Sequence, residues 1–144
     1  MVPTLLDLLG QRPPGHLQGK SLKPVLEDTG NTSDDVFVQW NGENSIVTQD
    51  LREEPIPDYL AKITTREKAM ASTRDTVRSI VTSDGWKFNW SQLGEHELYN
   101  LNEDPGETTN QAMNKESIPL VRKMAERIRR WQQRTGDALD LALP

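Results

Sequence analysis

Apolar residues fall at helical spacing at both ends of the chain and at strand spacing between them. Val2, Leu5, Leu6 and Leu9 stand at i, i+3, i+4 and i+7 and predict a short amphipathic helix, with Pro3 admissible in its first turn and Gly10 just past its end. Met1 occupies the position where a capping Ser, Thr or Asp is expected, so the chain reads as starting in mid-architecture. A Pro/Gly-rich loop, QRPPGHLQGKSL, leads into one further helical turn with Leu22, Val25 and Leu26 on one side. The stretch DTGNTSDD (28–35) is turn chemistry, and VFVQW (36–40) is β-branched and aromatic with little polar alternation. That pattern predicts a strand buried on both faces, as inside a larger sheet.

From Asn41 to about Thr76 the chain is polar, with at most marginal helix and no coherent apolar stripe. TVRSIVTSDGWKFNW (76–90) predicts a hairpin: Val77, Ile80 and Val81 precede a Ser-Asp-Gly turn, and Trp86, Phe88 and Trp90 define one face after it. Leu98, with Tyr99 and Leu101, marks a third strand that runs into NEDPGE. In the last periodic segment Ser117 is the N-cap, Pro119 sits in the first turn, and Leu120, Val121, Met124, Ile128 and Trp131 share a face. Gly136 closes that helix. These elements make an α+β unit, a small antiparallel sheet packed on a C-terminal amphipathic helix.

Composition narrows the chemistry. The 144 residues contain no cysteine, which removes disulfides, thiolate metal sites and a Cys nucleophile. The formal charge of −5 gives no basic footprint for nucleic acid or an anionic membrane. Charge is nonetheless uneven: Lys115, Arg122, Lys123, Arg127, Arg129, Arg130 and Arg134 face only Glu116 and Glu126 along the last helix. No apolar run approaches the ~20 residues of a membrane span, and no signal peptide is visible, so the sequence leaves the compartment open.

The order of pieces is itself informative. VPTLLDLLG, GHLQGKSLKPVL, a hydrophobic strand, VRSIVTSDGWKFNW, ELYNLNEDPGETTN and an amphipathic helix ending in TGD together resemble the C-terminal third of the formylglycine-dependent sulfatases of the alkaline phosphatase superfamily. Each motif is weak, but all stand in one order. The resemblance implies that residues 1–41 are the last helix/strand piece of a larger α/β catalytic-type domain, 42–76 a polar mobile connection, 77–137 the C-terminal subdomain and 138–144 a tail. It also implies that the C/S-x-P-x-R nucleophile, the Asp/Asn metal ligands and the Lys and His around sulfate lie upstream. Formylglycine and Ca²⁺ or a similar divalent cation are then expected only in a full-length parent, periplasmic or secreted, and the partner of this chain is its missing N-terminal catalytic domain. Through that parent the ligand would be a sulfated small molecule or polysaccharide, with no nucleic acid and no membrane involved.

Several local strings imitate the missing motifs. SIPLVR (117–122) places Arg122 one residue too late, and Ser117 is better explained as a cap. The pair Asp34 and Asp35 precedes a strand instead of ending one, and TSDGW (82–86) lacks the His or Asn of the metal motif. His16 and His96 have no ligand spacing to other residues and read as exposed loop histidines. Three acids in NEDPGE suggest a cation loop, yet the preceding alternation and the Pro-Gly pair read as a strand end and a turn. The basic helix could meet an anionic polymer, or be a solvated face.

No catalytic or metal-ligating residue is therefore expected here. Trp40 and Asn41 are expected to face substrate by analogy with loops that wall the sulfatase cleft, against the alternative that Trp40 packs between domains. The chain is expected to be a sulfatase C-terminal fragment, inactive alone. The alternatives are a free-standing interaction module or the same region of a phosphonate or phosphate ester hydrolase.

Overall fold

A computed structural model describes residues 1–30, 34–42 and 55–144. Residues 1–34 and 35–144 form two compact units. In the first, helix α1 spans Val2–Leu8 and helix α2 spans Lys23–Leu26. The expected helix thus forms without a side-chain cap, and Gly10 takes the left-handed conformation (φ 69°) just beyond it. The hydroxyl of buried Thr4 accepts the Leu22 N–H at 3.0 Å, which ties the two short helices together. Leu5, Leu8 and Leu9 stay about half exposed or more.

The second unit is an antiparallel meander of β1 (Val36–Trp40), β2 (Val77–Val81), β3 (Trp86–Ser91) and β4 (Glu97–Asn100), in that spatial order. Helices α3 (Asp58–Ala61) and α4 (Arg66–Arg74) stand between β1 and β2 in sequence. A 3₁₀ turn, Lys115–Ser117, precedes helix α5 (Ile118–Thr135). Because that turn already holds Ser117 in helical geometry, its side chain makes no cap hydrogen bond, whereas Gly136 (φ 72°) does close the helix.

One face of the sheet carries the core. Register places Phe37 opposite Ile80, Ile80 opposite Phe88, and Phe88 opposite Leu98, so their side chains form one row across all four strands. Helix α5 lays Val121, Met124, Ala125 and Ile128 onto that row, and Trp131 stacks on Phe37 with ring centroids 5.2 Å apart. The Trp86/Phe88/Trp90 face expected from period two is thus the covered one.

Strand β1 differs from its expectation of burial on both faces. It is the edge of the small sheet, and α5 reaches only the Phe37 side, so Val36, Val38 and Trp40 on the other face are 57, 51 and 52% exposed. Residues 138–144, read from sequence as a tail, close onto the core. Leu141 is 2% exposed, the Trp90 indole N–H donates to the Ala142 carbonyl at 2.9 Å, and Arg129 lies over the Trp90 ring while donating to the Leu141 carbonyl. No helix among the described residues is long and apolar enough to cross a membrane.

Candidate functional site

Arg78 organises the end of strand β1. In the alternation of β2 it shares the inward face with Ile80, and its side chain is 5% exposed, so its charge requires partners. Asp137, just after α5, supplies a bidentate one: Nε donates at 2.6 Å and Nη2 at 3.0 Å to the two carboxylate oxygens. Nη1 donates to the carbonyls of Val77 (3.0 Å) and Trp40 (3.3 Å) and to the Asn41 side-chain oxygen (3.0 Å). Gln132 adds a bond to Asp137 at 3.0 Å and another to the Leu139 carbonyl. The Arg78 hydrogen bonds, against the opposing pull of burial, hold the Asp137 carboxyl far below the usual carboxylate range, with help from Gln132 and the Leu139 N–H. A shallow depression of about 250 Å³ borders this network, but Gln132 and Asp137 in its lining are already bonded internally.

The network fixes both residues that the sequence suggested as substrate-facing. Trp40 has its carbonyl tethered and its ring half exposed. Asn41 gives its amide oxygen to Arg78, which turns the two Nδ2 donors away from the guanidinium; among the described residues they have no partner. Gly42 (φ 65°) then presses against the backbone of Arg74 and Asp75, where no side chain fits. Of the polar connection beyond, residues 43–54 lie outside the described residues, and the rest carries α3 and α4.

A second polar cluster imitates a catalytic triad without its geometry. Ser91 donates its hydroxyl to buried Asp75 at 2.5 Å, not to a base, and its oxygen accepts the Leu93 and Glu95 N–H groups. Asp75 also accepts the N–H groups of Gln92 and Leu93. His96 Nδ1 accepts the Ser91 backbone N–H at 3.3 Å, so it is not placed to take a proton from Ser91 Oγ. His96 is half-buried, in contrast to the exposed loop histidine expected, and burial lowers its pKa against the opposing charges of Asp75 and Glu95. The cluster is a loop clamp.

The acids of NEDPGE are also committed to structure. Asp104 accepts the Thr108 N–H (3.0 Å), the Thr108 hydroxyl (2.9 Å) and the Thr109 N–H (2.8 Å), and these bonds lower its pKa. Glu107 pairs with Lys87 at 2.6 Å. Asp34 pairs with Lys20 at 2.8 Å and Asp35 with Arg127, so the acidic pair does not converge. Asp84 bonds to the Thr82 hydroxyl, which lowers its pKa against the opposing effect of burial, aided by its backbone N–H and by the charges of Arg127 and Lys123. Among the described residues no group of three His, Asp or Glu converges as a metal site. The described side chains therefore offer no converging set that fits a divalent cation, and no Cys or Ser of the sequence stands in a C/S-x-P-x-R setting for a formylglycine.

With this geometry in view, the fold can be placed: its α+β architecture matches that of the C-terminal part of sulfatase structures. A protein of Bacteroides thetaiotaomicron VPI-5482 provisionally assigned as a sulfatase matches all of this chain with TM-score 0.67 and 21% identity, over 26% of its own length. A 2-O GAG sulfatase likewise matches the whole chain (TM-score 0.67, 20% identity, 27% of its length). The phosphonate monoester hydrolase of Agrobacterium radiobacter matches 92% of it (TM-score 0.59, 23% identity, 24% of its length). The chain thus spans about a quarter of the length of the structures it resembles. No protein-family profile and no curated sequence matches it.

Proposed function

We propose that this chain is the C-terminal part of a hydrolase of sulfate esters and has no turnover alone. The full-length fold match to sulfatase structures carries the reading. The apolar surface on the outer face of β1 supports it, because Val36, Val38 and Trp40 form an exposed strip suited to burial against a larger body. In this reading the missing partner is an N-terminal catalytic domain that brings the formylglycine nucleophile and its divalent cation. When bound there, that cation would neutralise charge on the sulfate oxygens. The residues of this chain contribute shape and donors. Asn41, its amide oriented by Arg78, presents N–H groups to a sulfate or sugar hydroxyl, and Trp40 offers an aromatic wall beside it.

The likeness to a phosphonate monoester hydrolase supports a second ester class for the same architecture. Assay of the 144-residue chain with an aryl sulfate and added Ca²⁺ should give only the buffer rate; turnover above it would overturn the placement of the catalytic groups elsewhere. In the whole enzyme, Asn41→Ala should raise KM for the sulfated substrate, and unaltered kinetics would remove Asn41 from the site. Parallel assays with aryl sulfate and phosphonate monoester decide the ester.

A further inference from the structure

We infer that the solvent side of helix α5 is a docking stripe for a sulfated polysaccharide, distinct from Trp40 and Asn41. At about 100° per residue, Lys123, Arg130 and Arg134 fall within an arc of roughly 40°, across the helix from the buried Val121, Met124, Ala125 and Ile128. At ~1.5 Å per residue they span about 16 Å of the helix axis. All three are exposed. Among the described residues none makes an ion pair, and Arg130 spends one N–H on the Glu126 carbonyl one turn back. Arg127 lies about 20° beyond that arc and is neutralised by Asp35, and Asp84 faces Arg127 and Lys123 from the hairpin turn. Three cations in one row, on a chain of net charge −5, concentrate positive potential on this face.

The shape of the stripe selects the polymer. It is one helix wide, is bordered by Glu126, and belongs to an acidic chain, which is unlike the broad basic surface that a duplex needs. Single-stranded nucleic acid would need stacking platforms, and Trp131, the sole aromatic of α5, already stacks on Phe37 with the rings 2° from parallel. A flexible chain bearing discrete anionic groups matches a single row of Lys and Arg donors. The choice of sulfate among those groups rests on the sulfate-ester reading above; the stripe itself does not.

The test is binding of a heparin oligosaccharide to the 144-residue chain by isothermal titration calorimetry at two salt concentrations. Lys123→Gln/Arg130→Gln/Arg134→Gln is compared with a control triple of equal charge, Lys62→Gln/Lys68→Gln/Arg122→Gln. At about threefold per exposed cation, the stripe variant should bind roughly 30-fold more weakly and with reduced salt dependence, while the control changes little. Circular dichroism should show both folded, because every substituted side chain is exposed. Absence of heparin binding by the parent chain, equal losses in both triples, or retention of affinity by the stripe variant would overturn the inference. Desulfated heparin should bind far more weakly, and equal affinity for an oligothymidylate would mark a general polyanion surface and reject the sulfated-glycan assignment. None of these readouts is turnover, so the hydrolase reading is tested separately by activity of the whole enzyme on a small aryl sulfate.

Discussion

Replacing Asp137 by Asn should be among the most damaging conservative changes in the second unit. The substitution keeps the shape of the side chain and removes the carboxylate that, among the described residues, is bonded to Arg78, whose side chain is 5% exposed. Removing one partner of a buried ion pair costs about 3–5 kcal/mol, because the remaining charge is left uncompensated. Asn can still accept one of the two guanidinium bonds, which sets the expectation near the lower end, ~3 kcal/mol. The paired change Arg78→Met/Asp137→Leu removes both charges. What it leaves is a small set of unsatisfied groups, chiefly Asn41 Oδ1 and the Trp40 carbonyl on one side and Gln132 on the other, at about 1 kcal/mol each. The double variant should therefore be no worse than D137N. Urea unfolding followed by tryptophan fluorescence measures this, since Trp90 and Trp131 lie in or against the core. With a slope of ~1.5 kcal/mol/M, D137N should lower the midpoint by roughly 2 M with the slope unchanged.

The same pair fixes a pH dependence. Asp137 is held below its ordinary value in the folded state, so its contribution is full above the unfolded pKa, about 4, and is lost as pH falls further toward the folded one. The parent chain should lose stability in acid along that window, and D137N should lose less. A cost below 1 kcal/mol for D137N, or a double variant that sums two single losses, would refute the reasoning.

Gly42→Ala should destabilise by about 3 kcal/mol or more, because a Cβ at φ 65° would meet the backbone of Arg74 and Asp75, which cannot turn aside as a side chain can; a thermal midpoint equal to the parent's would contradict this. Leu141→Ala should cost about 2–4 kcal/mol in chemical unfolding, since the residue is 2% exposed; a negligible change would show that residues 138–144 do not pack as described. Asp104→Ala should accelerate amide exchange at Thr108 and Thr109, which it accepts at 3.0 and 2.8 Å, and unchanged protection would deny the turn its carboxylate clamp.

The sequence was legible where local chemistry and burial agree. Asp84-Gly85 with aromatics at period two marks the β2–β3 hairpin, and the five-residue stripe from Leu120 to Trp131 marks α5, because each pattern is set by one covered face. Helix α4 was less visible. It is capped by Thr65, which accepts the Lys68 N–H at 3.3 Å, but buries no residue, so no apolar stripe announces it. The pattern of β1 shows that a strand forms, yet apolar residues at successive positions cannot show whether a given chain covers both faces. Packing of Leu141 depends on Trp90 and Arg129, contacts with no local signature. Arg78 did carry a signal, a charge on the same face as Ile80, but its carboxylate lies 59 residues away and periodicity cannot name it. The acids of NEDPGE could be read as a turn from Pro105-Gly106, and the structure adds which backbone groups Asp104 holds.

The central claim is that these residues supply shape and donors to a sulfate-ester hydrolase whose reacting groups lie elsewhere. The most direct measurement is the coding sequence immediately upstream of Met1 in its genome. The account predicts an open frame that encodes an Asp-Asp pair at a strand end and a C/S-x-P-x-R motif. A stop codon or an unrelated protein directly upstream would contradict it.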